Sequence, residues 1–280
     1  MTVSSPLKRV GGKHALVQQI LGALPLANSY TTYCEPCGGA AWVLLAKPAG
    51  QHDEVLNDLD NNLITFWQMM RERGQEMQVV LDSLLYSRAL YYEYYRSLFD
   101  GTPLVPLERA VRWFYCLRST GTGWLRQSPV GWNCLPKNIS SFHAALDLFA
   151  QVQERLKNVL IDNRDVLATI RRYDSPRTLF YIDPPYVGAE QYYEPSKKGF
   201  PHAELAELLQ SIQGRAAVSY YPHPQIDQFY SSWRRLSWQQ HKWSQIQVAT
   251  RAEDMATEML LCNYPEPPVT LWHQGEEVVA

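Results

Sequence analysis

The sequence predicts an α/β fold: a mostly parallel sheet with an antiparallel end strand, interrupted by an inserted, mainly helical segment. Three observations predict it. Strand-like and helix-like runs alternate over the first 74 residues and again from about residue 150 to 220. Between those stretches the alternation lapses into a tyrosine-rich helical pattern and an irregular Gly/Ser/Pro run. The last two strand-like runs have no long helix between them, as an antiparallel pair allows.

In chain order, Val10 to Ala23 reads as a helix entered through Gly11-Gly12-Lys13, with apolar residues at Leu16, Ile20 and Leu24. Tyr30 to Cys34 reads as a strand, broken by Pro36 and the Gly38-Gly39 pair, and Ala40 to Leu45 as the helix that follows. Glu54 to Leu56 gives a second strand ending at Asn57-Asp58. Asn61 or Asn62 can cap the next helix, whose apolar face is Leu63, Phe66, Trp67 and Met70. Tyr86 to Leu98 is helical in pattern, and Ser119 to Lys137 is irregular. Alternation resumes with helix Ala144 to Lys157, strand Val159 to Ile161, helix Val166 to Arg171 and strand Thr178 to Ile182. Helix His202 to Gln213 and strand Ala216 to Tyr220 follow, and strands near Gln245 to Ala249 and Glu258 to Cys262 close the chain. The expected domains are therefore 1–74 with 150–280, and an insert over 75–149.

The chain has 280 residues, 46% apolar and 12% aromatic, enough to bury a sizeable core. No run approaches the twenty apolar residues of a membrane span, and the N-terminus has no apolar signal-peptide run, so a soluble cytoplasmic protein is expected. Five cysteines fit a reducing compartment better than a disulfide framework. Cys34 and Cys37 have zinc-knuckle spacing, but Cys116 and Cys134 are too far apart to complete a four-ligand site and no nearby His replaces them, so no metal is expected.

The net charge of −2 conceals two basic windows. Arg109 to Leu146 holds Arg109, Arg112, Arg118, Arg126 and Lys137 with no Asp or Glu, and Gln228 to Ala252 holds Arg234, Arg235, Lys242 and Arg251, again with no acid. Both contain aromatics, among them Trp113, Phe114, Tyr115, Trp124, Trp132, Tyr230, Trp233, Trp238 and Trp243. Such windows suit a surface that grips phosphates and stacks on bases; equally, the rings can be core and the charges a solvated face.

Ligands of such sheets sit at the carboxyl ends of the strands, where the remaining signals fall. In Glu35-Pro36-Cys37-Gly38-Gly39-Ala40, paired glycines permit positive φ and close approach of a ligand to the backbone. Asp58, nineteen residues past Gly39, stands where nucleotide binders place an acid for ribose hydroxyls; a helix N-cap is the alternative. Gly11-Gly12-Lys13 is not a phosphate loop, lacking the earlier glycine and the following Ser/Thr.

Asp183-Pro184-Pro185-Tyr186 is the sharpest signal. It follows the strand-ending Phe180-Tyr181-Ile182, and two prolines forbid ladder bonds and hold Asp183 rigidly at the sheet edge. An exocyclic amine of adenine is a poor nucleophile because its lone pair is delocalised into the ring. Acceptors on both its N–H groups, the Asp183 carboxylate and the Pro184 carbonyl, favour a pyramidal nitrogen with its lone pair free for a methyl sulfonium. Tyr186 offers a ring on which an extruded base can stack. The bland alternative is a proline-rich turn with a capping Asp.

With these residues the chain resembles the Dam-type N6-adenine DNA methyltransferases. Leu7 to Lys13 is similar to the family's N-terminal cofactor motif, Tyr33 to Ala41 to its glycine loop, and Leu56 to Asp60 to its second cofactor motif. Thr178 to Tyr186 is similar to its catalytic strand, and Ser219-Tyr220 and Glu258 to Tyr264 to its late strands. The motif order is that of the family's α arrangement. The resemblance implies a Rossmann-like methyltransferase sheet with an inserted target-recognition domain, S-adenosylmethionine as methyl donor, and double-stranded DNA as partner with no obligate protein partner. It implies cofactor contacts from Arg9, Lys13, Glu35, Pro36, Gly38, Gly39, Asp58, Asp165 and Asp183, catalysis at Asp183, Pro184, Pro185 and Tyr186, and DNA contacts from Arg118, Arg126, Lys137, Arg234 and Lys242. Arg9 stands where the family usually has an aromatic residue, and Cys37 where it often has Phe. The rival readings are N4-cytosine methylation, whose motif usually begins with Ser, a non-catalytic DNA-binding module, and methylation of RNA or protein.

Overall fold

The structure is a computed structural model that describes residues 2–8, 12–50, 52–120, 123, 125, 132, 136–188, 190, 199–241 and 255–266, with backbone alone at 136, 137, 240, 241 and 255. Its centre is a seven-stranded sheet: β1 (Thr32–Glu35), β2 (Asp53–Asn57), β3 (Val159–Asp162), β4 (Thr178–Ile182), β5 (Arg215–Tyr220), β6 (Arg234–His241) and β7 (Met255–Cys262), in the order β3-β2-β1-β4-β5-β7-β6. The first five strands are parallel, and β7 enters antiparallel between β5 and β6. Strand order reverses between β1 and β4, which opens a crevice at their carboxyl ends.

The central strands β1, β4 and β5 are buried on both faces, as parallel strands require, while the sheet edges are partly exposed. Along β4, Leu179 and Tyr181 enter one apolar cluster, while Phe180 and Ile182 enter the other. The second cluster is closed by α8 (Val166–Tyr173), α9 (His202–Ser211) and α10 (Pro224–Phe229). On the first face lie α1 (Val17–Ala23), α2 (Trp42–Ala46), α3 (Asn61–Asp82), α4 (Arg88–Phe99), α5 (Pro106–Ser119), α6 (Pro136–Leu146) and α7 (Phe149–Leu156). Phe66 of α3 stacks on Phe114 of α5 at 5.5 Å and meets Phe149 of α7 edge-on at 6.3 Å. One continuous core thus runs from Tyr33 and Leu56 of the sheet into the helices between β2 and β3.

Several elements differ from expectation. The cap of α3 is Asp60, whose carboxylate accepts from the N–H groups of Asn62 and Leu63, so neither Asn61 nor Asn62 caps it. That helix continues to Asp82 through a kink at Arg73, beside Gly74, whose missing side chain leaves room for Gln153. The helix expected over Ala144 to Lys157 is two, α6 and α7. The break lets Phe142 reach Tyr86 and Tyr115 while Phe149 turns to Phe66. The partner of β7 is β6, a strand not anticipated; Gln245 to Ala249 lies outside the described residues. No helix among the described residues is long and apolar enough to cross a membrane.

Candidate active site

The loops after β1, β2, β3 and β4 open onto one cavity, lined by Glu35 to Val43, Asp58 to Asp60, Arg164 to Val166, Asp183, Pro185 and, from outside the sheet, Lys13 and Phe200. Asn57 ties three of these loops together. Fully buried at the end of β2, its amide donates to the carbonyls of Pro36 (2.7 Å) and Arg164 (3.0 Å), and its oxygen accepts from the Arg164 N–H (2.9 Å). Sequence reading passed over Asn57; its place at a strand end between two candidate loops was the available signal.

The glycine loop is shaped by packing on one side and by dihedral angles on the other. Gly38 donates to the Asn57 carbonyl at 2.7 Å, so close to β2 that a Cβ would lie 2.2 Å from a Leu56 methyl. Gly39 has φ +49°, and Ala41, at the start of α2, also sits in the left-handed region at φ 54°. Ala41 offers no side-chain cap to α2. Glu35 supplies one: its buried carboxyl accepts from the Tyr33 hydroxyl (2.7 Å) and the Leu44 N–H. Burial pushes that carboxyl up to about 8, against those two hydrogen bonds.

Asp58 is half-buried on the cavity wall and accepts from the N–H groups of Gly39 (2.9 Å) and Asp60 (3.0 Å). With Asp60 capping α3, the bland role considered for Asp58 is already filled. Beside it Leu59 is 48% exposed, an apolar ledge at the cavity. Asp165 lines the cavity but caps α8 through the Ala168 N–H at 2.9 Å.

Four polar groups converge beyond the end of β4. The Lys13 ammonium donates to Asp183 Oδ1 and to the Tyr186 hydroxyl, each at 2.6 Å, and lies 3.4 Å from Glu258 Oε1. The Tyr186 hydroxyl lies against Glu258 Oε1 and 3.2 Å from Asp183 Oδ1. Lys13 and Glu258 are buried, whereas the Asp183 side chain keeps 23% of its surface exposed and reaches the cavity. Among the described residues, no group hydrogen-bonds Asp183 Oδ2 or the carbonyl of buried Pro184. Burial opposes charge on all four groups: it pushes the Tyr186 phenol up, and the Asp183 and Glu258 carboxyls up against the pull of Lys13. The two carboxylates outweigh burial at Lys13 and hold its ammonium well above the usual lysine range. Glu258 was seen in the sequence only as part of a late strand; an acid joined directly to the apolar run Met259-Leu260-Leu261-Cys262 was the available signal. The Tyr186 ring is buried, with Tyr221 edge-on at 4.4 Å and Tyr220 at 5.9 Å.

The basic windows divide. Trp113, Phe114, Tyr115 and Tyr230 are core. Arg109 donates to Asn62, Arg112 pairs with Glu108, Arg118 bonds Ser141, and Arg235 pairs with Asp227. Arg234 points inward, donating to the Ala23 carbonyl (3.2 Å) and lying over the Tyr264 ring (5.7 Å). Arg9, Arg126, Lys242, Trp124, Trp243 and Arg251 lie outside the described residues, as does the side chain of Lys137. Among the described residues no three metal-ligating side chains cluster; Cys134 lies outside them.

A family model described as D12 class N6 adenine-specific DNA methyltransferase matches residues 10–244. Among solved structures, the rRNA methyltransferase aviRa from Streptomyces viridochromogenes corresponds over 88% of this chain and 82% of its own, at 13% identity and a TM-score of 0.37, too loose a correspondence to bear on fold or function.

Proposed function

Because the chain belongs to the D12 class of N6 adenine-specific DNA methyltransferases, we propose that it methylates an adenine turned out of duplex DNA at a specific sequence, using Asp183 and the Pro184 carbonyl to hold the target amine. Membership makes it an adenine-specific DNA methyltransferase served by a methyl donor of the S-adenosylmethionine type. The observation that carries the finer reading is the pair of acceptors left at the end of β4: Oδ2 of Asp183, with Oδ1 held by Lys13, and the carbonyl of Pro184.

Two acceptors on the two N–H groups localise the amine's lone pair on nitrogen. Both lie at a buried sheet end, so a base must leave its stack to reach them. Tyr186, fixed through its hydroxyl, is the ring beside which the base settles.

The cavity suits S-adenosylmethionine. Glycines 38 and 39 leave one wall without side chains, Leu59 and Phe200 offer apolar surface, and Asp58 can accept from ribose hydroxyls. Asp165 and Asp183 set carboxyls around a ligand that carries positive charge. When bound, the donor supplies an electrophilic methyl group.

The test is incubation with labelled S-adenosylmethionine and duplex DNA, single-stranded DNA or RNA, followed by digestion and identification of the modified nucleoside. N6-methyldeoxyadenosine from duplex DNA is the expected product. Asp183→Ala is expected to abolish transfer in a folded protein; near-normal turnover by that variant would sink the role given to Asp183.

A further inference from the structure

We propose that Glu258 is a positioning residue of the transfer site: by taking the Tyr186 proton and sharing Lys13, it keeps Asp183 a strong acceptor for the target amine. The inference rests on the reading of Asp183 as that acceptor.

A phenol has one proton to give. Tyr186 has two carboxylates in reach, Glu258 Oε1 in close contact and Asp183 Oδ1 at 3.2 Å, while Lys13 donates into its oxygen at 2.6 Å. The shorter contact takes the proton, so Asp183 receives Lys13 alone. Were the proton to swing to Asp183, that carboxylate would carry two donors before the amine arrived and would bind the amine's N–H more weakly. Glu258 also lies 3.4 Å from the Lys13 ammonium, so the cation is divided between two acids rather than spent on one. The Glu258 side chain is 1% exposed, on a strand that lines no part of the cavity, which separates it from groups that touch substrate.

Among the described residues, the ionisable groups facing Asp183 are Lys13 from the N-terminal segment, Glu35 from β1, Cys37 from the glycine loop, Tyr181 and Tyr186 from its own strand and turn, and Tyr220 from β5, with Glu258 behind Lys13. Among the described residues, only Glu258 combines a carboxylate with contact to both groups that touch Asp183 Oδ1.

The experiment compares wild type, Glu258→Gln, Tyr186→Phe and the double variant, with Asp183→Asn as control. A glutamine oxygen is a poorer acceptor than a carboxylate, so in Glu258→Gln the Tyr186 proton turns to Asp183. Turnover is expected to fall about tenfold or more, the worth of one charge-assisted hydrogen bond. The acidic limb of the kcat profile is expected to move to lower pH, because Asp183 then faces the undivided lysine. Affinity for S-adenosylmethionine by calorimetry stays within about threefold, below the worth of one lost hydrogen bond. With the hydroxyl removed by Tyr186→Phe, the Glu258→Gln change costs much less. Wild-type turnover and an unmoved limb in Glu258→Gln, or an equal cost in both backgrounds, would overturn the inference and leave a merely structural acid. Normal turnover by Asp183→Asn would instead bring down the reading beneath it. If Glu258→Gln does not fold, Glu258→Asp keeps the charge but draws the acceptor back from Tyr186, and the same relief by Tyr186→Phe is expected.

Discussion

At the scale of single residues, the acids around the cavity differ in what surrounds each carboxyl. Asp58 accepts from two backbone N–H groups and lines the cavity, within reach of a ligand. Asp58→Ala is expected to weaken S-adenosylmethionine binding by roughly 1.5–3 kcal/mol while the rate at saturation changes less. Unchanged affinity by calorimetry would reduce Asp58 to a brace for the glycine loop. Glu35 is the opposite case: burial raises its carboxyl from an ordinary value of 4.5 to about 8. A raised acid means that the folded chain holds a proton the unfolded chain has released, between those two values. Stability from this group is therefore complete at low pH and is lost as pH rises toward 8, at about 1.4 kcal/mol per unit within the window. Glutamine accepts from Tyr33 and Leu44 without titrating. Unfolding of Glu35→Gln should then be less sensitive to pH between 6 and 8 than that of wild type; parallel curves would show that Glu35 is ionised throughout.

At the scale of elements, the sequence disclosed what depends on local pattern. The strand Thr178 to Ile182 was legible to the residue because a run of threonine and four largely apolar side chains ends at Asp183 ahead of two prolines, and the Asp-Pro-Pro-Tyr turn announced its own chemistry. Where three acids or amides stood together, at Asp58 to Asn62, composition could not say which one capped α3. The structure gives the cap to Asp60; both acids line the cavity, but Asp58 is the one bound to the glycine loop. The two roles are separable: Asp60→Ala should cost about 1 kcal/mol of unfolding free energy with little change in cofactor affinity, the reverse of Asp58→Ala. Denaturant unfolding and calorimetry on both variants check this, and a stability loss shared equally would mean that the two acids act as one cap. β6 escaped notice because Arg234 occupies an inward position, with Leu236 and Trp238, and so hid the alternation of a strand. Glu258 escaped because its partners, Lys13 and Tyr186, are 245 and 72 residues away and meet it only when β7 inserts beside β5.

At the scale of the whole molecule, the question is how a chain of net charge −2 holds a polyanion. Local basic charge must do it, since phosphate contacts dominate affinity for DNA. Read as acid-free stretches, the two basic windows overstate that charge. Each begins one residue after the acid that pairs with it, Glu108 before the first and Asp227 before the second. Arg234 is committed to the fold through Ala23 and Tyr264. Arg118 is held by Ser141, and the remaining candidates named from the sequence, Arg126, Lys137 and Lys242, are where the grip is expected. Affinity should fall with salt at a log–log slope of about −0.9 per phosphate neutralised. Lys242→Ala should reduce that slope by about one and weaken all sequences alike. Arg126→Ala should also relax sequence preference, because a guanidinium can read guanine through two hydrogen bonds worth about 1–3 kcal/mol of discrimination. Arg234→Ala should leave the slope unchanged and lower the melting temperature instead. The measurement is methylation across a randomised-site library at several salt concentrations, with thermal unfolding of each variant. A reduced slope with unchanged stability in Arg234→Ala would return that arginine to the DNA surface, and an untouched preference in Arg126→Ala would move sequence reading to another part of the chain.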